Sequence, residues 1–248
     1  MEIIEKVISS NGLVFAFLFV GFIMLFSFLV SKKLLRNKIP GVAIAILIGL
    51  ALAFLGDKNG MADIPIFAGM AILGGSMFRD FAVVATAMSA DISKIKRAGL
   101  AGIISLFIGV TITFFLGALI AYFMGYTDAV SMTTIGAGAC TYIVGPVTGG
   151  ALGASSDVIA ISVATGVIKT IFTTIITPVI AKSIKLNNPH AAVVFGGLIG
   201  TTSGVVAGLA ATDEKLVPYG ALTATFYTGV GCLLCPSVFY LFLKFFGF

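Results

Sequence analysis

The chain has 248 residues, of which 59% are hydrophobic and 10% charged, with a formal net charge of +5 and a mean hydropathy of +1.15. A soluble domain carries about 25% charged residues, so the composition excludes a soluble globular domain and points to an integral membrane protein. The basic residues stand in short clusters between apolar runs, which excludes a nucleic-acid surface and fits cytoplasmic loops.

The N-terminal MEIIEKVISSNG is acidic rather than basic, and no A-x-A site follows it, so no cleavable signal peptide is expected. Residues 11–30 are a plain apolar run, long enough to span at about 20 residues. The cluster SKKLLRNK, with Lys32, Lys33, Arg36 and Lys38, follows and is placed in the cytoplasm. Pro40 suits the first turn of a second helix, to about residue 56. The loop DKNGMAD is net negative and fits the outside. A third run, residues 64–90, holds Pro65, the pair Gly74-Gly75 and the adjacent charges Arg79 and Asp80. Those charges either close a short helix near the interface or face a polar cavity. SKIKR is again cytoplasmic, and residues 98–124 are a clean span ending at GYTD.

Residues 135–169 differ from everything before them. They are apolar enough for the bilayer, yet they carry glycines 136, 138, 145, 149, 150 and 153, with Pro146 among them. Broken helix at membrane depth is tolerated only inside protein or beside a water-filled cavity. If every later run crosses once, Lys182 and Lys185 land outside. If residues 129–154 enter from outside and return, the two lysines fall in the cytoplasm, as the charge rule prefers. The glycines and Pro146 are the chemistry that a re-entrant turn requires.

Residues 191–211 have the same character, centred on Gly200-Thr201-Thr202-Ser203-Gly204. A shift of 58 pairs Gly138 with Gly196, Val147 with Val205, Gly150 with Gly208, Thr165 with Thr223, Thr170 with Thr228 and Pro178 with Pro236. Each unit reads as a broken small-residue segment, a short polar turn, then an apolar run ending in X-Pro. If both broken segments re-enter, they form an inverted repeat whose tips meet near the midplane. Residues 216–248 are the last span. The expected fold is an all-α polytopic membrane protein of about six spans plus two broken segments. It forms one transporter domain over residues 1–248, with N-terminal spans in 1–128 and the two units in 129–248.

Lys169 falls about midway along a span. A charge there costs about 3 kcal/mol on insertion scales and marks a functional site by default. It either meets substrate or neutralises a buried acid such as Asp80. Half-helix N-termini hold anions through free N–H groups and the macrodipole. Pro146 suits a first helical position, and Thr201, Thr202 and Ser203 suit an N-cap. With Lys169 they compose a site for a small carboxylate, with Thr141, Tyr142, Gly145, Val147 and Gly204 at the tips. Unwound carbonyls and hydroxyls at Cys140, Thr141, Thr148 and Thr202, with Asp80 and Asp157, are the candidates for Na⁺. Asp157 reads more simply as an N-cap for the helix that follows it.

The three cysteines include Cys232 and Cys235 in CLLC, which read as small apolar packing residues. The single His190 does not complete a metal set. No Ser-His-Asp set, Walker loop or metal motif is present, so neither an enzyme nor a cofactor is expected, and transport would draw on ion gradients.

The run GAGACTYIVGPVTGGALGASSDVIAISVATGVIK, followed by IITPVIA, resembles the MadM subunit family of the two-component malonate:sodium symporter. The likeness extends over nearly the whole chain, including KKLLR-x-K-IPG and IPIFAGMAILGGSMFRDFAVVATA. It implies Na⁺-driven malonate uptake across a bacterial inner membrane, with a smaller membrane subunit, MadL, as partner. The order of elements in the second half is more distantly similar to LrgB-type proteins, which implies a rival reading: a holin-associated permeability module or a carrier of another small carboxylate. Buried ionisable groups favour the carrier.

Overall fold

A computed structural model describes residues 8, 10–35, 41–53, 55, 56, 60–73 and 92–248. Among the described residues the chain is helical without strands. It divides into two compact units, Met1–Thr86 and Ala87–Phe248. The second unit therefore takes in a span that the sequence grouped with the N-terminal half. Arg36, Lys38, Pro40, Gly74, Gly75, Arg79 and Asp80 lie outside the described residues.

In the first unit, α1 (Gly12–Lys33) is long enough to cross a bilayer, and α2 (Gly41–Ala53) and α3 (Gly69–Leu73) pack against it. Most side chains of α1 are exposed, among them Phe17, Leu18, Phe22 and Leu25, as lipid-facing positions are. Lys32 and Lys33 end the helix, where cations complement the macrodipole. Phe19 and Phe67 meet edge to face at 4.9 Å, with Phe15 5.7 Å from Phe67.

The second unit holds the glycine-rich segments. Helix α4 (Ile92–Phe123) turns at Gly99, φ 69°, leaving a straight span Gly99–Phe123. Asp128 caps α5 (Ala129–Cys140) by accepting from the Ser131 N–H at 2.8 Å. Burial pushes the Asp128 carboxyl up, but the hydrogen bonds from Ser131 and from the backbone at 128 and 130 together hold its pKa below its ordinary value. Three residues later the chain resumes as α6 (Val144–Leu152), closed by Gly153 in the left-handed region. The span α7 (Ser156–Ile180) follows. Asn188 then caps α8 (Pro189–Ile199), accepting from the Ala191 N–H at 2.9 Å, and Gly200, φ 79°, breaks it before α9 (Thr202–Ala210). The last span, Glu214–Phe245, comprises α10 (Val217–Leu234), a π turn at Cys235–Phe239 and α11 (Tyr240–Phe245).

Both broken segments turn back. A Cβ on Gly145 would lie 2.9 Å from the Gly138 Cα, and one on Gly149 2.7 Å from the Thr134 Cγ2. Four residues forward on α6 is thus four back on α5, the mark of antiparallel arms. In the second segment, a Cβ on Gly220 would touch the Ala192 carbonyl and the Val205 and Leu209 side chains together. The start of α8 and the end of α9 therefore sit at one level. The open ends of the two hairpins lie at opposite ends of α7: Gly149 packs on Ile159, and Gly208 on Thr177. The hairpins thus open toward opposite ends of α7.

The repeat is carried by backbone geometry. A shift of 58 moves Val144–Leu152 onto Thr202–Ala210 at both ends. It also moves the close approach of Gly138 to the Ser162 backbone onto that of Gly196 to the Gly220 backbone. Helix backbones come this close in membranes only through small residues.

One expectation is corrected. The apolar runs do not end at X-Pro. Helix α7 continues through Pro178 to Ile180, and the last span passes Pro236 through its π turn. Proline near a helix end removes one backbone bond, and a π turn absorbs the ring without stopping the chain.

Candidate functional site

The two hairpin tips meet beside the middle of the spans. The Tyr142 and Ser203 hydroxyls, one from each tip, lie 3.3 Å apart. Thr170 in α7 and Thr201 of the second tip are joined at 2.6 Å. Thr170 spends its one hydroxyl proton on the Gly166 carbonyl at 3.0 Å, so Thr201 is the donor between them. The buried Cys140 thiol at the first tip donates to the carbonyl of Val110, midway along Gly99–Phe123.

Lys169, the fourteenth of the 25 residues of α7, stands at this junction. Its Nζ donates to the carbonyls of Ala139 at 3.0 Å and Cys140 at 2.9 Å. These belong to the last turn of α5, where carbonyls lack intrahelical partners and the macrodipole is negative. A helix C-terminus thus supplies part of the compensation, and among the described residues Lys169 has no carboxylate partner; Asp80, the acid offered for it, lies outside them. An ammonium has three donors. The two carbonyls use two, and the Nζ lies 5.2 Å from the Tyr227 ring centroid.

The tips differ in what they leave open. At the first, the Thr141 hydroxyl accepts from the N–H groups of Ile143 at 3.3 Å and Val144 at 3.1 Å. The start of α6 is thereby satisfied by its own threonine. Pro146 does not occupy the first helical position, as the sequence suggested; α6 begins at Val144 and Pro146 is its third residue. That position also lacks an intrahelical acceptor, so the missing N–H costs nothing there. At the second tip, Thr201 is the N-cap residue but its side chain makes no cap bond; it is turned to Thr170 instead. Among the described residues, the N–H groups of Thr202, Ser203 and Gly204 find no acceptor.

Among the remaining candidates, Gly145 is buried against Ser162, while Val147 is half-buried on α6. Cys140 has its carbonyl taken by Lys169 and its thiol by Val110. Thr148 is fully buried and its hydroxyl has no partner. The threonines at 133, 134, 165, 170, 174 and 177 all donate to the carbonyl four residues back, so among the described residues Thr148 is the fully buried exception on these helices. Asp157 is exposed in the first turn of α7, twelve residues and about 18 Å along the helix from Lys169. It is not the N-cap, which is Ser155, and it is not brought to the tips. Tyr227 was missed by sequence reasoning. The signal that locates it is the repeat itself, since a shift of 58 carries Lys169 onto Tyr227.

Among protein families, the model described as "Malonate/sodium symporter MadM subunit" matches residues 4–246 of this chain. No curated protein and no solved structure matches it. The chain belongs to the MadM subunit family, a family of transporter subunits.

Proposed function

We propose that this chain is the translocating subunit of a secondary carrier that takes up malonate with Na⁺ by alternating access. Its location is the bacterial inner membrane, and its partner is the smaller membrane subunit MadL. The observation that carries the reading is the meeting of two oppositely directed hairpin tips around the ammonium of Lys169. A dicarboxylate requires two N–H-rich poles close together in a site shielded from water. The third proton of Lys169 supplies one. The unpaired N–H groups of Thr202, Ser203 and Gly204, at the positive end of α9, supply the other. Thr141, Tyr142, Gly145, Pro146, Val147 and Thr201 are the surrounding tip residues.

Na⁺ prefers neutral oxygens away from a fixed cation. The buried, unpartnered Thr148 hydroxyl is the first ligand we assign to it, with the Thr141 and Thr202 oxygens next. The Cys140 carbonyl joins them only when Lys169 releases it. The carrier needs no catalytic group and no cofactor.

The test is uptake of radiolabelled malonate into proteoliposomes containing the chain and its partner subunit. Saturable uptake that vanishes when K⁺ replaces Na⁺ is expected. A leak that neither saturates nor responds to Na⁺ would instead indicate a permeability module of the LrgB type.

A further inference from the structure

Each span that follows a hairpin sends one side chain to that hairpin's tip. Lys169, on α7, donates to the Ala139 and Cys140 carbonyls of the first tip. Tyr227, at the equivalent place on α10, lies against Gly200 of the second, where an added Cβ would strike its ring. Tyr227 is fully buried, and its hydroxyl donates to the Gly109 carbonyl of α4 at 3.1 Å. The two side chains also touch each other, with the Lys169 Nζ 5.2 Å from the ring centroid. A tyrosine ring turns a negative quadrupole face to a cation, and the attraction grows as water is removed.

We propose that Tyr227 is the positioning residue for Lys169, and that this cation–π pair couples the two hairpins in addition to the Tyr142–Ser203 bond. The proposal rests on reading the hairpins as the moving gates of a carrier. The Gly109 bond pins one edge of the ring, and the Gly200 turn presses on it. A shift of the second tip therefore moves the ring face on which the ammonium sits. In the other direction, a carboxylate that draws Lys169 from the Ala139 and Cys140 carbonyls uncaps the first tip while the ammonium stays on the ring. One cation serves both tips, so anion binding loosens one and steadies the other.

The test varies the ring's electrostatics at nearly constant shape. Phenylalanine, then phenylalanines carrying one, two and three ring fluorines, replace Tyr227 in the full chain reconstituted with its partner subunit. Fluorine empties the negative face stepwise. Two quantities are read: the apparent KM for malonate, and the rate at which a small membrane-permeant maleimide alkylates Cys140 in a Cys232→Ala, Cys235→Ala background. Cys140 is fully buried beside the carbonyls that hold Lys169, so its alkylation reports opening of the first tip. Both quantities are expected to climb across the series, the KM by about fivefold at three fluorines, matching a cation–π contribution of roughly 1 kcal/mol. A purely structural ring gives a flat labelling series and overturns the proposal. Labelling needs no malonate. A graded labelling rate without malonate uptake in any variant sustains the pair and rejects malonate carriage. A flat labelling series with normal Na⁺-driven uptake rejects the pair alone.

Discussion

The ammonium of Lys169 donates to the Cys140 carbonyl at 2.9 Å, tying the middle of a span to the last turn of a helix 29 residues earlier. A half-buried cation thereby finds a counter-charge in a helix dipole. The ends of α5 are thus both held, by Asp128 at the N-terminus and by Lys169 at the C-terminus.

Replacing this lysine has a two-part consequence. Lys169→Met leaves two carbonyls without their charged donor, at about 1–3 kcal/mol for each that stays buried and unpaired. Thermal unfolding of the purified protein should fall accordingly. Malonate affinity should fall by on the order of 2 kcal/mol or more, the usual loss when one member of a buried charge pair goes. Lys169→Arg should also transport poorly, because a planar fork does not replace a compact ammonium. Adding Asp80→Asn should rescue nothing if the backbone carbonyls alone compensate the ammonium; rescue would add Asp80, outside the described residues, as a further partner. Full transport by Lys169→Met would remove Lys169 from the site.

The glycines at helix contacts divide into those that must stay small and those that need not. Gly138→Ala and Gly196→Ala each force a methyl into facing backbone, and overpacking of this kind costs about 1–3 kcal/mol or more. Gly229 in α10 faces open space, so Gly229→Ala should be neutral or stabilising by up to about 1 kcal/mol. Melting temperatures of the three variants check the ranking. Equal behaviour would contradict the close approach.

The bond between the tips should be measurable as a coupling energy. Tyr142→Phe and Ser203→Ala each remove one side of the 3.3 Å contact. A double-mutant cycle on stability should return about 0.5–1.5 kcal/mol, the usual net worth of such a bond. Strict additivity would mean that the two tips do not touch in the resting protein.

Topology is tested in the loop after α7. Lys182 and Lys185 are exposed there, and the charge rule places them in the cytoplasm. A cysteine at Asn187, in a chain lacking the three native cysteines, should resist an impermeant maleimide in intact cells and react after lysis. Ready labelling from outside would reverse the assigned orientation.

The four long spans among the described residues and the first hairpin were legible because each has a compositional cause. Twenty apolar residues suffice for a crossing, and Gly with Pro146 between Lys-bearing loops suffices for a turn. Lys169 was legible from the cost of a buried charge. Its partners were not, because any residue's carbonyl can accept, and Ala139 and Cys140 carry no sign of it. Tyr227 was hidden for a related reason: one aromatic in an apolar run reads as packing until the 58-residue shift sets it opposite Lys169. Thr201 looked like an N-cap and holds that place in the chain, but its hydroxyl found a stronger tertiary partner in Thr170. Pro178 looked like a stop, but a helix this near its end tolerates the loss of one bond.

The most direct measurement of the central claim, that the facing tips hold the substrate, is ligand protection at Ser203. In a chain lacking the three native cysteines, Ser203→Cys places a thiol beside Tyr142 and the unpaired N–H groups of α9. Its alkylation rate is followed in proteoliposomes with the partner subunit, with and without malonate and Na⁺. The account predicts that malonate slows labelling in a saturable way, that Na⁺ strengthens the effect, and that Lys169→Met in the same chain abolishes it. A labelling rate indifferent to malonate, in a variant that still transports it, would contradict the account and move the substrate away from the tips.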